Sequence, residues 1–312
     1  MKRILSTAGI LLLLLFLLRY PQEALAASRD GMGLWLNTLI PTLLPFLILT
    51  GFLIRTGTAD KLTSPARPFW KICFGITPSG AYALILGLLC GYPMGAKITS
   101  DMYRHGKIGR QEAEYLLTFT NHASPAFLST YLIHICLKDQ ADTGNVYLVL
   151  FLSAFLTMLF FRFIIFKNRT LTEKSLQNPK MEPSKACSPG TLLDTSIMNG
   201  FETIARLGGY ILLFSILSAL VRHYWKSGAP ALCLLLGTLE LTTGLHFLSQ
   251  AALPFGVTYI LAMAMTSFGG LCILAQTKSV LHKELSLVPY ICAKCVNAVM
   301  TAVIALIFLK VV

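Results

Sequence analysis

The chain has 312 residues, of which 55% are hydrophobic and 13% charged, with 26 Lys and Arg against 14 Asp and Glu for a net charge of +12. A mean hydropathy of +0.67 excludes a soluble domain with a large core and points to an integral membrane protein. The basic excess falls between the apolar runs, where it marks cytoplasmic loops, so nucleic-acid binding is set aside.

The amino end carries Lys2-Arg3, an apolar run over 10–18, and Ala24-Leu25-Ala26, a small-x-small cleavage pattern. Residues 1–27 therefore read as a signal peptide or a retained signal anchor; the letters admit both. Either way 19–31 is expected outside. A spanning segment follows over 34–54. Arg55, Lys61, Arg67 and Lys71 crowd the loop after it, and Lys97, Arg104, Lys107 and Arg110 crowd the next one, so two consecutive loops read as cytoplasmic.

The apolar run between them, 81–96, is therefore expected to dip into the membrane and return, turning at Gly91-Tyr92-Pro93. Arms of about ten residues rise about 15 Å, which reaches the midplane and no further. Backbone that is not helical at that depth leaves polar groups costing several kcal/mol each, so it survives only inside protein or beside a wet cavity. The run 113–137 then exits. It contains Thr118-Phe119-Thr120-Asn121-His122-Ala123-Ser124-Pro125, where proline removes a helix bond and frees carbonyls and amides near Asn121. Residues 138–144 form an external loop and 146–165 returns. The stretch 167–196, with Lys167, Arg169, Lys174, Lys180 and Lys185, reads as a cytoplasmic linker.

In the second half, 197–221 exits and 229–248 forms a second hairpin turning near Glu240 to Gly244. The run 254–276 returns to a loop holding Lys278 and Lys283, and is breakable at Thr266-Ser267-Phe268-Gly269-Gly270; the last segment, 287–309, exits. The expected fold is an all-α polytopic membrane protein with inverted repeats over 32–166 and 197–312. Each repeat has three spanning helices and one re-entrant helical hairpin, and an odd number of crossings inverts the second copy. The letters agree where Pro45-Phe46-Leu47-Ile48-Leu49 aligns with Gly209-Tyr210-Ile211-Leu212-Leu213, Gly87-Leu88-Leu89 with Gly237-Thr238-Leu239, and Thr120 to Ser124 with Thr266 to Gly270. Chance likeness of apolar text is the alternative.

Two hairpin tips and two broken helices meeting at the midplane would form a polar pocket, with half-helix ends supplying partial charges. The residues expected to bind a substrate or ion are Tyr92, Thr120, Asn121, His122 and Ser124 from the first half, and Glu240, Thr242, Thr243 and Ser267 from the second. Ionisable groups inside a membrane are functional by default. Glu240 has no obvious local partner and is expected to touch the ion or substrate. His122 reads either as a proton acceptor or as a neutral group holding the broken helix. Glu202 and Arg206, four apart, read as a structural ion pair, and Lys97 and Lys138 as side chains reaching out to the interface.

The cysteines lie mostly in apolar runs and read as packing; Cys292-Ala293-Lys294-Cys295 has redox spacing without a βαβ context and is read the same way. There is no P-loop, nucleophile elbow or HExxH. Hence no enzyme, no cofactor and no metal are expected; the expected partners are the lipid bilayer, a small polar solute and a coupling ion.

At Gly87-Leu88-Leu89-Cys90-Gly91-Tyr92-Pro93-Met94-Gly95-Ala96-Lys97, followed by Glu112-Ala113-Glu114 and Asn121-His122-Ala123-Ser124-Pro125, the chain resembles the YlbJ-type sporulation integral membrane proteins. These are grouped with nucleoside-recognition or Gate-domain membrane proteins related to nucleoside transporters. The resemblance covers nearly the whole chain and implies a multi-pass membrane protein of a sporulating bacterium, acting in spore envelope and cortex formation. A second copy of the chain or other sporulation membrane proteins are further expected partners. The family pattern commonly has another asparagine where this chain has His122, a departure in the implied ligand set. A non-transporting assembly protein that keeps the transporter fold is the other reading.

Overall fold

The computed structural model describes residues 2–56, 58–167, 188–225 and 229–311. Among them every regular element is helical. In chain order these are α1 (Lys2–Arg19), α2 (Pro21–Arg55), α3 (Lys61–Phe74), α4 (Pro78–Cys90), α5 (Met94–Arg104), α6 (Arg110–Leu117), α7 (Pro125–Cys136) and α8 (Thr143–Ile165). After the linker come α9 (Pro189–Tyr224), α10 (Ala229–Leu239), α11 (Leu241–Gln250), α12 (Phe255–Phe268), α13 (Gly270–Val280) and α14 (Val288–Val311). Among the described residues five helices are long and apolar enough to cross a membrane, or six if the bent α3–α4 pair is one span. Leu15, Leu49, Phe163 and Val299 are exposed, as a lipid-facing surface requires. The chain is a multi-pass membrane protein.

The first long helix starts earlier than hydropathy suggests. Pro21 occupies the first turn of α2, where a missing N–H costs nothing, and the helix then runs without a stop through the boundary drawn between 27 and 32. Its polar beginning is helical because its other face packs on α9: Ala24, Ala27 and Gly31 are buried, and a Cβ on Gly31 would lie 2.6 Å from Ser215 Oγ. Small residues let helix backbones approach closely in lipid. Further along, the indole of Trp35 lies flat on Gly208 and donates to Ile204 O at 2.8 Å. The end of α1 joins this packing through Phe16, which is buried with Ala219 and Leu220. α9 likewise begins at Pro189, capped by Ser188, so the last residues of the expected linker are helix; 168–187 lie outside the described residues.

Between these long helices and the last ones lie the interrupted elements, and they follow the same order in each half. α4 and α5 fold back on each other across Gly91-Tyr92-Pro93, as α10 and α11 do across Glu240. The first crossing is made by Gly87 on Gly95, the second by Gly237 on Gly244. A Cβ on Gly87 would meet Gly95 Cα at 2.9 Å, while one on Gly244 would run into the Gly237 backbone. The hairpins are followed by broken helices. Residues 118–124 separate α6 from α7, and Gly269 and Gly270, at φ of 88° and 84°, separate α12 from α13. Such φ values are open to glycine and strained for most other residues.

Glu112 is buried and accepts from Thr77 N at 2.7 Å and Thr77 Oγ1 at 2.8 Å. It sets carboxyl oxygens at the start of α4, the end of the helix dipole that favours negative charge, while burial pushes its pKa up to about 7. Lys97 does not reach an interface. It is 5% exposed and donates to both carboxylate oxygens of Asp101, at 2.8 and 2.7 Å, one turn along α5. The loop between α13 and α14 ties the halves together nearby, with His282 N donating to Ser100 Oγ at 2.8 Å and Ser286 N to Glu114 Oε1 at 3.1 Å. Arg206 and Glu202 form the ion pair expected of them.

Candidate functional site

α14 carries a buried polar stripe. Tyr290, Lys294, Asn297 and Thr301 fall at helical spacing on one face, each 2% exposed or less. They line up because residues three and four apart share a face. Around Lys294 the two halves meet. Its ammonium donates to Tyr92 Oη at 2.9 Å and to Ser267 O at 3.2 Å, and lies 4.5 Å over the Tyr92 ring and 5.7 Å from the centre of the Tyr290 ring. Among the described ion pairs none includes Lys294. Tyr92, at the first hairpin's tip, in turn donates to Thr266 O at 3.0 Å. These carbonyls belong to the last turn of α12, which has no helical partners to offer them and carries partial negative charge.

A second set of bonds fixes the other broken helix. Asn121 Nδ2 donates to Tyr290 Oη at 2.9 Å and to Thr277 Oγ1 at 3.1 Å. On the far side of Ser267, its hydroxyl pairs with Thr301 Oγ1 at 2.7 Å, which also bonds Ser153 Oγ at 2.8 Å. The hairpin tips cross over. Tyr92 from the first half reaches α12 in the second, and Tyr131 on α7 donates to Thr242 O at the second tip, at 2.8 Å.

Between these groups is a cavity lined by Tyr92, His122, Thr266, Ser267 and Asn297 on its polar side and by Leu128 and Phe151 on its apolar side. It offers about 20 Å³ to the centres of water-sized spheres, room for a water or a small ion. His122 Nε2, Thr266 Oγ1, Asn121 Oδ1 and Thr120 Oγ1 are buried without a partner. Each such group costs about 1–3 kcal/mol unless something in the cavity bonds it. The two orphaned threonines are the pair that sequence aligns between the halves.

Of the nine residues expected to bind, the structure brings Tyr92, His122 and Ser267 to the cavity, with Asn121 and Thr120 in the adjoining break. The remaining four have other work. Glu240 does have local partners: its carboxylate accepts from Thr242 N at 3.0 Å, Thr243 N at 2.7 Å, Thr242 Oγ1 at 2.6 Å and Thr243 Oγ1 at 2.7 Å. It is the N-cap of α11, and both threonine hydroxyls are turned onto it. Ser124 caps α7 by accepting from Phe127 N at 3.2 Å. Ser124→Ala is expected to cost about 1 kcal/mol, measurable by unfolding in mixed micelles, with no change in what the cavity binds. The expectation of packing at Cys292-Ala293-Lys294-Cys295 fails at its third residue. Both cysteines are exposed while Lys294 is the central cation. A lone lysine in an apolar helix, in step with Tyr290, Asn297 and Thr301, is the signal that finds it.

A curated relative, the sporulation integral membrane protein YlbJ of Bacillus subtilis (strain 168), is 25% identical to this chain over 93% of it and 79% of the relative. The chain is similar to YlbJ along most of its length. No family model matches it, and no solved structure does. In this chain the GYPMGAK stretch supplies Tyr92 at the hairpin tip, Gly95 at the crossing and Lys97 of the buried ion pair.

Proposed function

We propose that this chain is a carrier of a small polar solute that serves spore formation, built as two inverted Gate-like repeats of the kind found among nucleoside transporters. The observation that carries the reading is the meeting of the first hairpin's tip and both broken helices around a buried ammonium that, among the described residues, has no carboxylate paired with it. Backbone interrupted at membrane depth, half-helix ends and polar side chains at a repeat interface are the usual materials of such a site. The common element order of the halves, their matching glycine crossings and their crossed tip contacts support the inverted repeat. The relative's printed name supports the sporulation setting.

Solute would sit against Tyr92, His122, Ser267 and Asn121, with Lys294 favouring a negative or electron-rich group. Proteoliposomes loaded with a mixture of small polar metabolites test this, with efflux followed by mass spectrometry. At least one compound class is expected to leave well above the leak from empty liposomes, and Asn121→Ala to slow it by about a hundredfold through lost positioning. Equal leak from both kinds of liposome, together with normal spores from the Asn121→Ala strain, would favour the assembly protein instead. The inverted arrangement puts reporters fused near Tyr103 and Lys180 on the same, cytoplasmic, side; opposite sides would overturn it.

A further inference from the structure

We propose that the carbonyl end of α12 is a monovalent-cation site that the chain fills with its own Lys294 ammonium, so that the carrier needs no sodium. The inference rests on the carrier reading for its meaning, though not for its test. Broken-helix carriers commonly hold a coupling sodium ion on unwound carbonyls and half-helix C-terminal ends. Here the equivalent oxygens are Thr266 O, Ser267 O and Tyr92 Oη, and they converge from two halves of the chain. An ammonium is a compact monovalent cation with three donors. That of Lys294 touches Ser267 O and Tyr92 Oη directly, and Tyr92 passes the contact on to Thr266 O.

The surroundings suit a cation that does not leave. The Tyr92 and Tyr290 rings stand 4.5 and 5.7 Å from Nζ, and ring faces attract cations. The other charged groups buried in the described interior are engaged elsewhere: Asp101 holds Lys97, Glu240 accepts four bonds within its own turn, and Glu112 accepts two from Thr77. A tethered cation at the helix end therefore answers the carbonyls with no exchange with solution.

Thermal unfolding of the purified full chain in detergent tests this at constant ionic strength in choline, potassium or sodium chloride. The wild type is expected to melt at one temperature in all three. Lys294→Ala is expected to melt several degrees lower and to recover at least half of the loss, saturably, on adding methylammonium or sodium, but not choline. A wild-type midpoint that rises saturably with sodium overturns the proposal, as does a Lys294→Ala protein that no small cation stabilises. Should Lys294→Ala fail to fold, Lys294→Gln takes its place with the same expected rescue, and the wild-type salt series still decides whether sodium is used. Because melting needs no solute, a chain that moves nothing yet shows this pattern sinks the carrier reading alone. One that moves solute only with sodium sinks this inference alone.

Discussion

Gly95→Ala is expected to destabilise the protein by roughly 2–3 kcal/mol, because the new methyl group has nowhere to go. It would overlap Thr120 O, lie 2.6 Å from Thr120 C and 3.1 Å from Asn121 Cα. All three are main-chain atoms, which cannot swing aside as a side chain can. The strain would fall on the crossing of the first hairpin and on the break beside it at once, so the site should loosen along with the fold. Gly209→Ala supplies the contrast. It stands inside α9 with nothing within 4 Å of its added carbon, and should gain about 0.5–1 kcal/mol from helix propensity. Unfolding by SDS titration in mixed micelles reads both signs, and a Gly95→Ala protein as stable as the wild type would refute the close crossing.

Asp101→Ala should cost still more, about 3–5 kcal/mol, since it strands the Lys97 ammonium in a buried site. Asp101 is 7% exposed and Lys97 5%, so solvent gives the stranded charge little relief. Removing both charges together, as Lys97→Met with Asp101→Leu, should restore most of the loss, because an apolar pair of similar size avoids the desolvation cost altogether. The same titration applied to the single and double variants forms a cycle. Additive losses would show that the two side chains do not act as a pair.

Sequence made the interrupted elements legible and concealed the polar centre, for physical reasons. The first hairpin could be read because Gly91 and Pro93 stop a helix, the turn that the structure shows between α4 and α5. The break after Leu117 could be read from Pro125, and that in α12–α13 from two adjacent glycines. Helix ends fared worse. Gln22, Glu23, Arg29 and Asp30 hide the start of α2 from any hydropathy average, yet the opposite face of that helix packs on α9 through Ala24, Ala27 and Gly31. Hydropathy reports contact with lipid, whereas helix pairing in lipid runs on small residues.

The misplaced residues at the site share a cause. Glu240 looks alone only if partners are sought at helical spacing; an N-cap finds them two and three residues ahead, in Thr242 and Thr243. Lys97 sits near a basic loop, and only Asp101 four residues on reveals that it stays inside. Lys294 is masked by the flanking cysteines, although it is the sole charge between Lys283 and Lys310 apart from Glu284. Burial among packed helices with acceptors in reach, more than residue type, separates a lysine that escapes to water from one that is held.

The cavity beside Tyr92 has room for a water or an ion and no more, so in the proposed carrier a metabolite would enter only after its wall had parted. That wall includes the phenol bound to Thr266 and Ser267, and each passage would break those bonds and remake them. The speed limit of such a carrier would belong to the protein's own rearrangement and only weakly to the guest's fit. Turnover should climb steeply on warming, and guests of different bulk should pass at similar rates once they are admitted at all.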